Sequence, residues 1–567
     1  MSHIDFGLCK LLTTLPEKDD KMINIIFGQT RSNFEFLKCF TIPIAIETID
    51  SLKDIGYKRD FNLIFIDNDK DDLRKFHDRF SSKLFNSRGR YIIIANDVDK
   101  NIFKWFWDKQ ILNVNIISKG PNGNLIVLTY FPFKNYDCGN TQPTVINISI
   151  ITQFFPDKLI NLQNCKIRLA TSKISEPHVN FIKDSNGTII RLYGRDINLI
   201  NTLSQAINFD VDIVYVGIEG ALWNNGSAEG PFKFLLDNKA DLIVADYWLM
   251  PTRLKFIDST LPYAAQHIAF IIPPGASYSP FRKLIMPFDA CTWTVLVLIF
   301  LISFIVIFGA TKIRFFGISI SSADPYMNII RAILGGTQNA LPKRNSSRIL
   351  LMAFLILFLV MRTLYLASFY QYMQKNIMYK EAQSIDDMVE RDFTIYYLTS
   401  FEDLMEGAPL KLKNRLVGLT IAQRAKILPL VYNPSFKGAF LRSLTGIQYL
   451  NQYNYNKNKT TAKMFMICKE YFMTIPVVIY TKKDFYLVNK INEKIQLMQA
   501  AGLIDYWHSQ SIDRKYEKIA ASAAQPIKLS FNHLLSCFTI LICGLIISLI
   551  IFIAENCKFW LMRIRNG

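Results

Sequence analysis

ACTWTVLVLIFLISFIVIFGAT (residues 290–311), PYMNIIRAILGGTQNAL (325–341) and ILLMAFLILFLVMRTLYLASFYQYM (349–373) decide how the rest of this chain is read. The first run is uncharged and the third carries only Arg362. At about 1.5 Å per residue, each can cross a hydrocarbon core roughly 30 Å thick. Residues 534–554 form another uncharged run of this kind. A buried core helix would rarely stay uncharged for so long, so three transmembrane helices are expected. The middle stretch is too short and too polar to cross alone. Arg331, Gln338 and Asn339 would be costly in lipid, and Gly335-Gly336 would weaken a helix. It reads either as a surface helix or as a re-entrant loop, whose irregular backbone is tolerated only against protein or a water-filled pore.

Charge sets the orientation. Lys312, Arg314, Arg331, Lys343, Arg344 and Arg348 face a single acid, Asp324, in the linker between the first two spans. The tail carries Lys558, Arg563 and Arg565. Three spans put both regions on one side, the cytosolic one. Residues 1–289 and 374–532 then lie outside. The glycosylation sequons at Asn147, Asn186, Asn225 and Asn458 all fall there, while Asn345 falls in the cytosolic linker and is expected to stay unmodified. Residues 1–14 lack an apolar signal core, so an upstream export segment is expected.

The chain has 567 residues, enough for several domains, with net charge +18 and 50% apolar residues. Mean hydropathy is +0.16, high for a soluble protein. A basic, 13% aromatic chain could contact nucleic acid, but no such motif occurs and the apolar runs are too long. No zinc-like Cys/His spacing, nucleophile elbow, Walker loop or dinucleotide fingerprint is present. No metal, cofactor or enzymatic activity is therefore expected. Cys9, Cys39, Cys138 and Cys165 can pair outside the cell, with connectivity left open.

The flanking regions alternate strand and helix. KIRLATSK (166–173) and DVDIVYV (210–216) are strands around the amphipathic helix GRDINLINTLSQAINF (194–209), and PFKFLLDNKADLIVADYW (231–248) is helix, turn and strand. That βαβ order implies an α/β lobe. Beyond the second span, SIDDMVERDFTIYYLTSFEDLM (384–405) gives helix, strand and a new helix capped by Thr399 or Ser400. KDFYLVNKINEKIQLMQAAGLIDYWHSQS (483–511) gives a long helix stopped at Gly502. Neither half is complete alone; together they make one clamshell interrupted by the membrane segments.

This plan resembles that of the ionotropic glutamate receptors over residues 166–554. GRDINLINTLSQAINFDVDI (194–213) is similar to the family's first-lobe helix after its Gly-x-x-x-Asp-Leu start. RLKFIDSTLPY (253–263) is similar to Arg-x-x-x-Ile-Asp-Phe-Ser-x-Pro-Phe. LPKRNSSRIL (341–350) is similar to the pore-loop exit, and AAGLIDYW (500–507) to the family's Gly-x-Leu-Asp-x-Leu-x-x-x-Trp ending. The resemblance implies a periplasmic-binding-protein-like α/β extracellular clamshell of two lobes, split by an all-α membrane domain of three transmembrane helices and a re-entrant pore loop. The expected boundaries are 1–164 for a short N-terminal module, 165–288 and 374–530 for the two ligand-binding segments, 289–312, 347–373 and 533–555 for the spans, 324–342 for the pore loop and 556–567 for the tail. Within the family the chain resembles the divergent insect chemosensory ionotropic receptors. Its second lobe holds a single cysteine, Cys468, so the disulfide of glutamate receptors cannot form there. FNLIFID (61–67), RYIIIAN (90–96) and LIVLTY (125–130) mark only a small α/β N-terminal module.

The resemblance places Arg253 on the arginine that clamps a ligand carboxylate in a bidentate pair; read alone, it could equally be a surface arginine beside Asp258. Asp246 and Trp248 replace the family's Pro-Leu-Thr and would remodel the pocket wall. In KGAFLRSLTGIQYLNQ (437–452), Ser443 falls on the glutamate that holds the ligand ammonium. A hydroxyl cannot neutralise a buried ammonium, so neither glutamate nor glycine is the expected agonist. Ser400 either offers an anion its hydroxyl and backbone N–H groups or simply caps a helix. Gly335, Gly336, Thr337 and Gln338 would line the pore constriction, where carbonyls and neutral amides suit an unselective cation path. No acidic ring favours calcium there, and no arginine at the tip excludes it. The gate run LYLASFY (364–370) keeps Tyr365 and Ala367 of the family motif, with Ser368 beside them. Arg362 is expected to face the pore or a neighbouring subunit rather than lipid. The implied protein is a plasma-membrane, ligand-gated, non-selective cation channel subunit. It would be a tuning subunit of a chemosensory heterotetramer with co-receptor subunits, a small-molecule ligand and membrane lipid as partners. The alternative is a non-conducting, membrane-anchored regulatory subunit.

Overall fold

A computed structural model of the chain describes residues 22–28, 42–54, 56–66, 69–81, 83–95, 101–119, 125–146, 154–172, 177–184, 189–217, 220–276, 278–312, 325–337, 345–374, 379–458, 464–511, 516 and 531–565. These residues form two compact units, one of them holding the N-terminal module and the clamshell.

The module is a seven-stranded sheet in the order Ile44–Thr48, Ile23–Phe27, Arg59–Phe65, Phe85–Ile94, Val114–Lys119, Leu125–Thr129 and Thr144–Ile146. The first five strands are parallel and the last two join antiparallel. The continuous apolar runs seen in the sequence arise because both faces are covered. Ile26, Ile64 and Ile93 pack into one core while Ile25, Leu63 and Ile92 pack into another. The module abuts the first lobe of the clamshell. Cys138 pairs with Cys165 at the start of the lobe's first strand. Arg88 meets Asp258 at 2.5 Å, Lys58 meets Asp484 at 3.2 Å, and Trp107 and Phe133 pack on Tyr486. Of the four candidate cysteines, Cys9 and Cys39 lie outside the described residues.

The first lobe is a five-stranded sheet ordered Phe209–Val216, Cys165–Ser172, Leu242–Ile243, Tyr480–Thr481 and Asp258–Ser259. The helix Arg195–Ile207 buries Leu199, Ile200, Leu203 and Ile207 against it. It starts after Gly194 at φ +127°, where a Cβ would run into the His178 backbone. The second lobe is ordered Leu416–Leu419, Thr394–Leu398, Gly438–Ser443, Ala264–Ile272 and Met466–Val477. The two sequence segments therefore do not correspond to the two lobes. Ala264–Ile272, from the first segment, completes the second-lobe sheet, and Tyr480–Thr481, from the second segment, completes the first-lobe sheet. Two neighbouring antiparallel strands carry the chain across, with Ala264 opposite Val477 at the crossing. Tyr263 donates its N–H to the Val477 carbonyl at 3.0 Å there.

The other unit is helical. Pro325–Leu334 packs against both Ala290–Lys312 and Asn345–Gln374, and Pro280–Ile285 packs against Asn345–Gln374 and Phe531–Arg565. Among the described residues, two helices are long and apolar enough to cross a membrane by length and composition, Arg348–Tyr372 and Leu535–Cys557, while Ala290–Ile305 is a shorter apolar helix.

Candidate ligand-binding cleft

A cavity of about 110 Å³ opens between the lobes, and Arg253, Trp248, Asp246, Ser400 and Ser443 all line it. Five residues singled out across 198 positions of sequence thus meet at one place.

Arg253 begins a 3-10 turn, Arg253–Lys255, and is 4% exposed. Its guanidinium lies 4.6 Å from the Phe232 ring centroid and 5.8 Å from that of Tyr480. Two aromatic faces can hold a desolvated cation in this way. Nη1 reaches the Trp248 carbonyl at 3.5 Å, and Nε is buried with no hydrogen-bond partner. Arg253 is therefore not a surface arginine beside Asp258, whose carboxylate is taken by Arg88 and Lys483.

Asp246 sits at φ +53° and belongs to a buried ion network rather than presenting a free acid to the cleft. Arg195 donates Nη2 to Asp246 at 2.7 Å and Nε to Asp196 at 2.9 Å. The Asp246 backbone N–H donates to Asp196 at 2.7 Å, which secures the turn. Burial pushes the Asp246 carboxyl above the usual range, against the pull of Arg195 and Gln266. Gln266, on the second-lobe strand Ala264–Ile272, donates to Asp246 at 2.9 Å and to Thr445 at 2.7 Å. Its amide also lies 2.9 Å from His178 Nε2. His178 contacts Thr445 at 3.2 Å and stacks at 5.9 Å on His508. Burial, reinforced by Arg195, pushes both imidazoles down, so they stay neutral. A chain of polar groups thus passes from the first lobe into the second beneath the cavity.

The second-lobe wall is built from short, half-buried elements. Ser400 lies inside the 3-10 turn Thr399–Phe401, which leads into the short helix Glu402–Met405. The flanking cap residues are Leu398 and Phe401, and neither makes a side-chain cap bond, so the expectation that Thr399 or Ser400 caps a helix is corrected: the strand runs straight into a tight turn. Ser443 ends the strand Gly438–Ser443, and its Oγ accepts from the Gly446 N–H at 3.3 Å at the start of helix Leu444–Asn458. Phe401 stacks on Trp248 at 4.3 Å. Asp403 accepts from Thr252 at 2.8 Å and from Asn224 at 3.1 Å, both on the first lobe. Arg424 and Arg442 also line the cavity. Sequence reasoning passed over both, together with His178, Phe401 and Gln266. The one available signal was Arg442, a charge directly before Ser443 and the single charge of residues 438–452.

In the helical unit, Gly335 ends Pro325–Leu334 at φ +78°, and Gly336 and Thr337 follow it, while Gln338 lies outside the described residues. Arg362 donates to the Leu334 carbonyl at 3.2 Å, and a Cβ on Gly335 would overlap its guanidinium. A tip without an arginine in its own sequence thus acquires one from the helix Asn345–Gln374. That helix carries Tyr365, Ala367 and Ser368, and the Tyr365 hydroxyl donates to the Leu284 carbonyl at 3.0 Å. Of the sequons, Asn225 is exposed on a turn where its side chain accepts from Ser227, Asn458 ends a helix, and Asn147 and Asn186 lie outside the described residues.

Residues 17–161 match the family described as putative ionotropic receptor, ligand binding domain, and residues 166–275 match the ligated ion channel L-glutamate- and glycine-binding site. A glutamate receptor of Lymnaea stagnalis is 25% identical over 158 residues, which are 26% of this chain and 17% of that protein. The kainate 1 ionotropic glutamate receptor of Mus musculus is 32% identical over 111 residues, 18% of this chain and 13% of its own length. The NMDA 3A ionotropic glutamate receptor of Rattus norvegicus is 27% identical over 103 residues, 18% and 9%. The matches thus span less than a fifth of each relative. Taken with the two-lobed α/β cleft, they show that this chain carries ionotropic glutamate receptor-like ligand-binding domains.

Proposed function

We propose that the chain is a ligand-gated, non-selective cation channel subunit of the insect chemosensory ionotropic receptors, working as the tuning subunit of a heterotetramer with co-receptor subunits in the plasma membrane. Both lobes and the N-terminal module face outward, and the tail faces the cytosol. The observation that carries this reading is the path of the chain. It leaves the second-lobe sheet at Ile272, builds the helices from Pro280 to Gln374, and re-enters the same lobe at the helix Ile385–Glu390. A movement of that lobe is thus covalently connected to the helices at both ends. A ligand that binds the closed cleft better than the open one shifts the population toward closure, and only that difference in affinity does work on the helices. The ligand-binding residues of this reading are Arg253, Trp248, Asp246, Ser400 and Ser443. Gly335, Gly336, Thr337 and Gln338 form the constriction, and Tyr365, Ala367 and Ser368 form the gate.

The departures in LYLASFY favour one other reading, a non-conducting, membrane-anchored regulatory subunit. Current recorded from cells expressing the chain with candidate co-receptor subunits separates the two. Arg362→Gln is the informative variant, because it removes the charge beside Gly335 without forcing a side chain into a positive-φ position. A ligand-evoked current whose calcium permeability rises in Arg362→Gln supports a conducting subunit. A current indifferent to Arg362 assigns the pore to the partners.

A further inference from the structure

A second cavity, of about 420 Å³, shares no lining residue with the cleft. Its volume falls within the roughly 300–1,000 Å³ of small-molecule sites. Both lobes build it. The second-lobe helix Leu444–Asn458 lines it with Tyr449, Gln452, Tyr453 and Asn456, at the i, i+3, i+4, i+7 spacing of one helix face. The first lobe supplies Tyr193 and Asn198, on either side of the start of helix Arg195–Ile207. Trp507 comes from the helix Leu503–Ser511, which packs on that first-lobe helix.

The lining holds no Asp, Glu, Lys, Arg or His, in a chain with 65 basic and 47 acidic residues. An ion would shed its water there and find no counter-charge. A wholly apolar guest would strip water from the amides and return nothing. The side-chain amides of Asn198 and Gln452 are half-buried, and among the described residues they bond to no other group. The rings of Tyr193 and Tyr453 are exposed. A guest matched to this wall is neutral. It offers the rings a C–H face, and it offers the amides hydroxyls that both donate and accept.

We infer that this cavity binds a neutral carbohydrate, with its C–H face on Tyr453 and Trp507 and its hydroxyls on Asn198 and Gln452. The site is separate from the cleft and does not rest on the reading of the cleft as a ligand site. Both lobes touch the guest, so its occupancy is tied to the angle between them. The sugar has two sources. It arrives free, or it is a glycan on the sequon at Asn458, which ends the helix that lines the cavity.

Saturation-transfer NMR on the full-length chain in phosphatidylcholine nanodiscs, which carry no sugar headgroup, tests this with sucrose, sodium gluconate and adenosine. Sucrose is expected to bind, and gluconate and adenosine are not. Tyr453→Ala, at an exposed ring, should weaken sucrose roughly threefold to tenfold. Gln452→Lys, on the same helix face, should weaken it as well, so a folding defect in one variant leaves the other informative. Sucrose binding that ignores both variants places the sugar elsewhere and overturns the inference. Gluconate or adenosine binding as tightly as sucrose overturns it too, since the guest is then charged or a flat ring. Sucrose binding only to Asn458→Gln supports the inference with the chain's own glycan as the natural occupant. No sucrose binding to either form overturns it. Sucrose binding that depends on Tyr453, without current in any partner combination, would end the channel reading and leave this one standing. A ligand-evoked current with no sucrose binding would do the reverse.

Discussion

The two walls of the cleft are made differently. On the first lobe the charged groups are buried: Arg195, Asp196 and Asp246 satisfy one another in one network, and Arg253 is sealed against aromatic rings with its Nε unpaired. On the second lobe the groups that face them are half-buried and ride on short elements, a 3-10 turn, a four-residue helix and the end of a strand. The match to the L-glutamate- and glycine-binding family spans residues 166–275, which build most of the first lobe and the crossing strand Ala264–Ile272. A rigid wall tolerates little change because each buried charge depends on its partner, whereas a wall of surface turns can change its chemistry at small cost. In this clamshell the buried frame lies on one side and the half-buried, adaptable surface on the other.

This contrast can be broken most sharply at Asp196. Asp196→Ala leaves the fully buried Arg195 short of a partner, and should cost about 3–5 kcal/mol in thermal unfolding and abolish surface delivery. The second-lobe change Arg442→Met should cost about 0–1 kcal/mol. Equal destabilisation would erase the distinction between the walls. Next in size, Cys138→Ser opens a link closing 27 residues of sequence between the module and the first lobe. A loss of about 3 kcal/mol is expected, read as a lower unfolding temperature matched by adding reductant to the unmodified chain.

A third test uses pH. His178 and His508 have folded-state pKa values below their unfolded ones, because burial opposes their charge. Below about pH 6.5 the unfolded chain binds protons that the folded one refuses, so stability falls as pH falls. Each histidine contributes at most about 1.4 kcal/mol per pH unit, lost progressively as pH falls below about 6.5. Arg195, Asp196 and Asp246 surround this pair, and His178→Gln should flatten the slope without reversing it. An unchanged slope would place the pH sensitivity elsewhere. The smallest effects belong to the contacts made across the cavity. Phe401→Ala removes a stacked pair worth about 1 kcal/mol and should weaken apparent ligand affinity about fivefold. Asp403→Ala should do somewhat less, since its bonds to Asn224 and Thr252 are near the surface.

Much of the frame was legible in advance. The βαβ order of residues 165–243, the Gly502 stop and the apolar runs follow from periodicity and turn chemistry, and the structure forms elements there. Arg253, Trp248, Asp246, Ser400 and Ser443 share one cavity because family motifs carry positions. Their detailed roles were harder to read. Asp246 looked like a pocket acid, and only three-dimensional proximity shows that Arg195 has claimed it. Arg424 lies in a short surface helix, IAQRAKI, with no local sign that it faces the cleft. Arg362 comes to the Gly335 tip from 27 residues away, a pairing that no short-range pattern encodes. The exchange of strands between lobes was hidden for the same reason: alternation marks Ala264–Ile272 as a strand but does not say which sheet receives it.

That exchange has a mechanical consequence. Ala264–Ile272 and Met466–Val477 lie side by side as a ribbon whose base is the crossing between lobes. From Ala264 to Ile272 the ribbon reaches about 26 Å at 3.3 Å per residue. The fulcrum is at one end of this arm, and the chain departs for the helices at the other. The first lobe is also joined to the N-terminal module by the Cys138–Cys165 disulfide, so the two halves of the clamshell are unequal in size. By geometry alone, a small tilt at the crossing is multiplied along this arm into a larger displacement at Ile272.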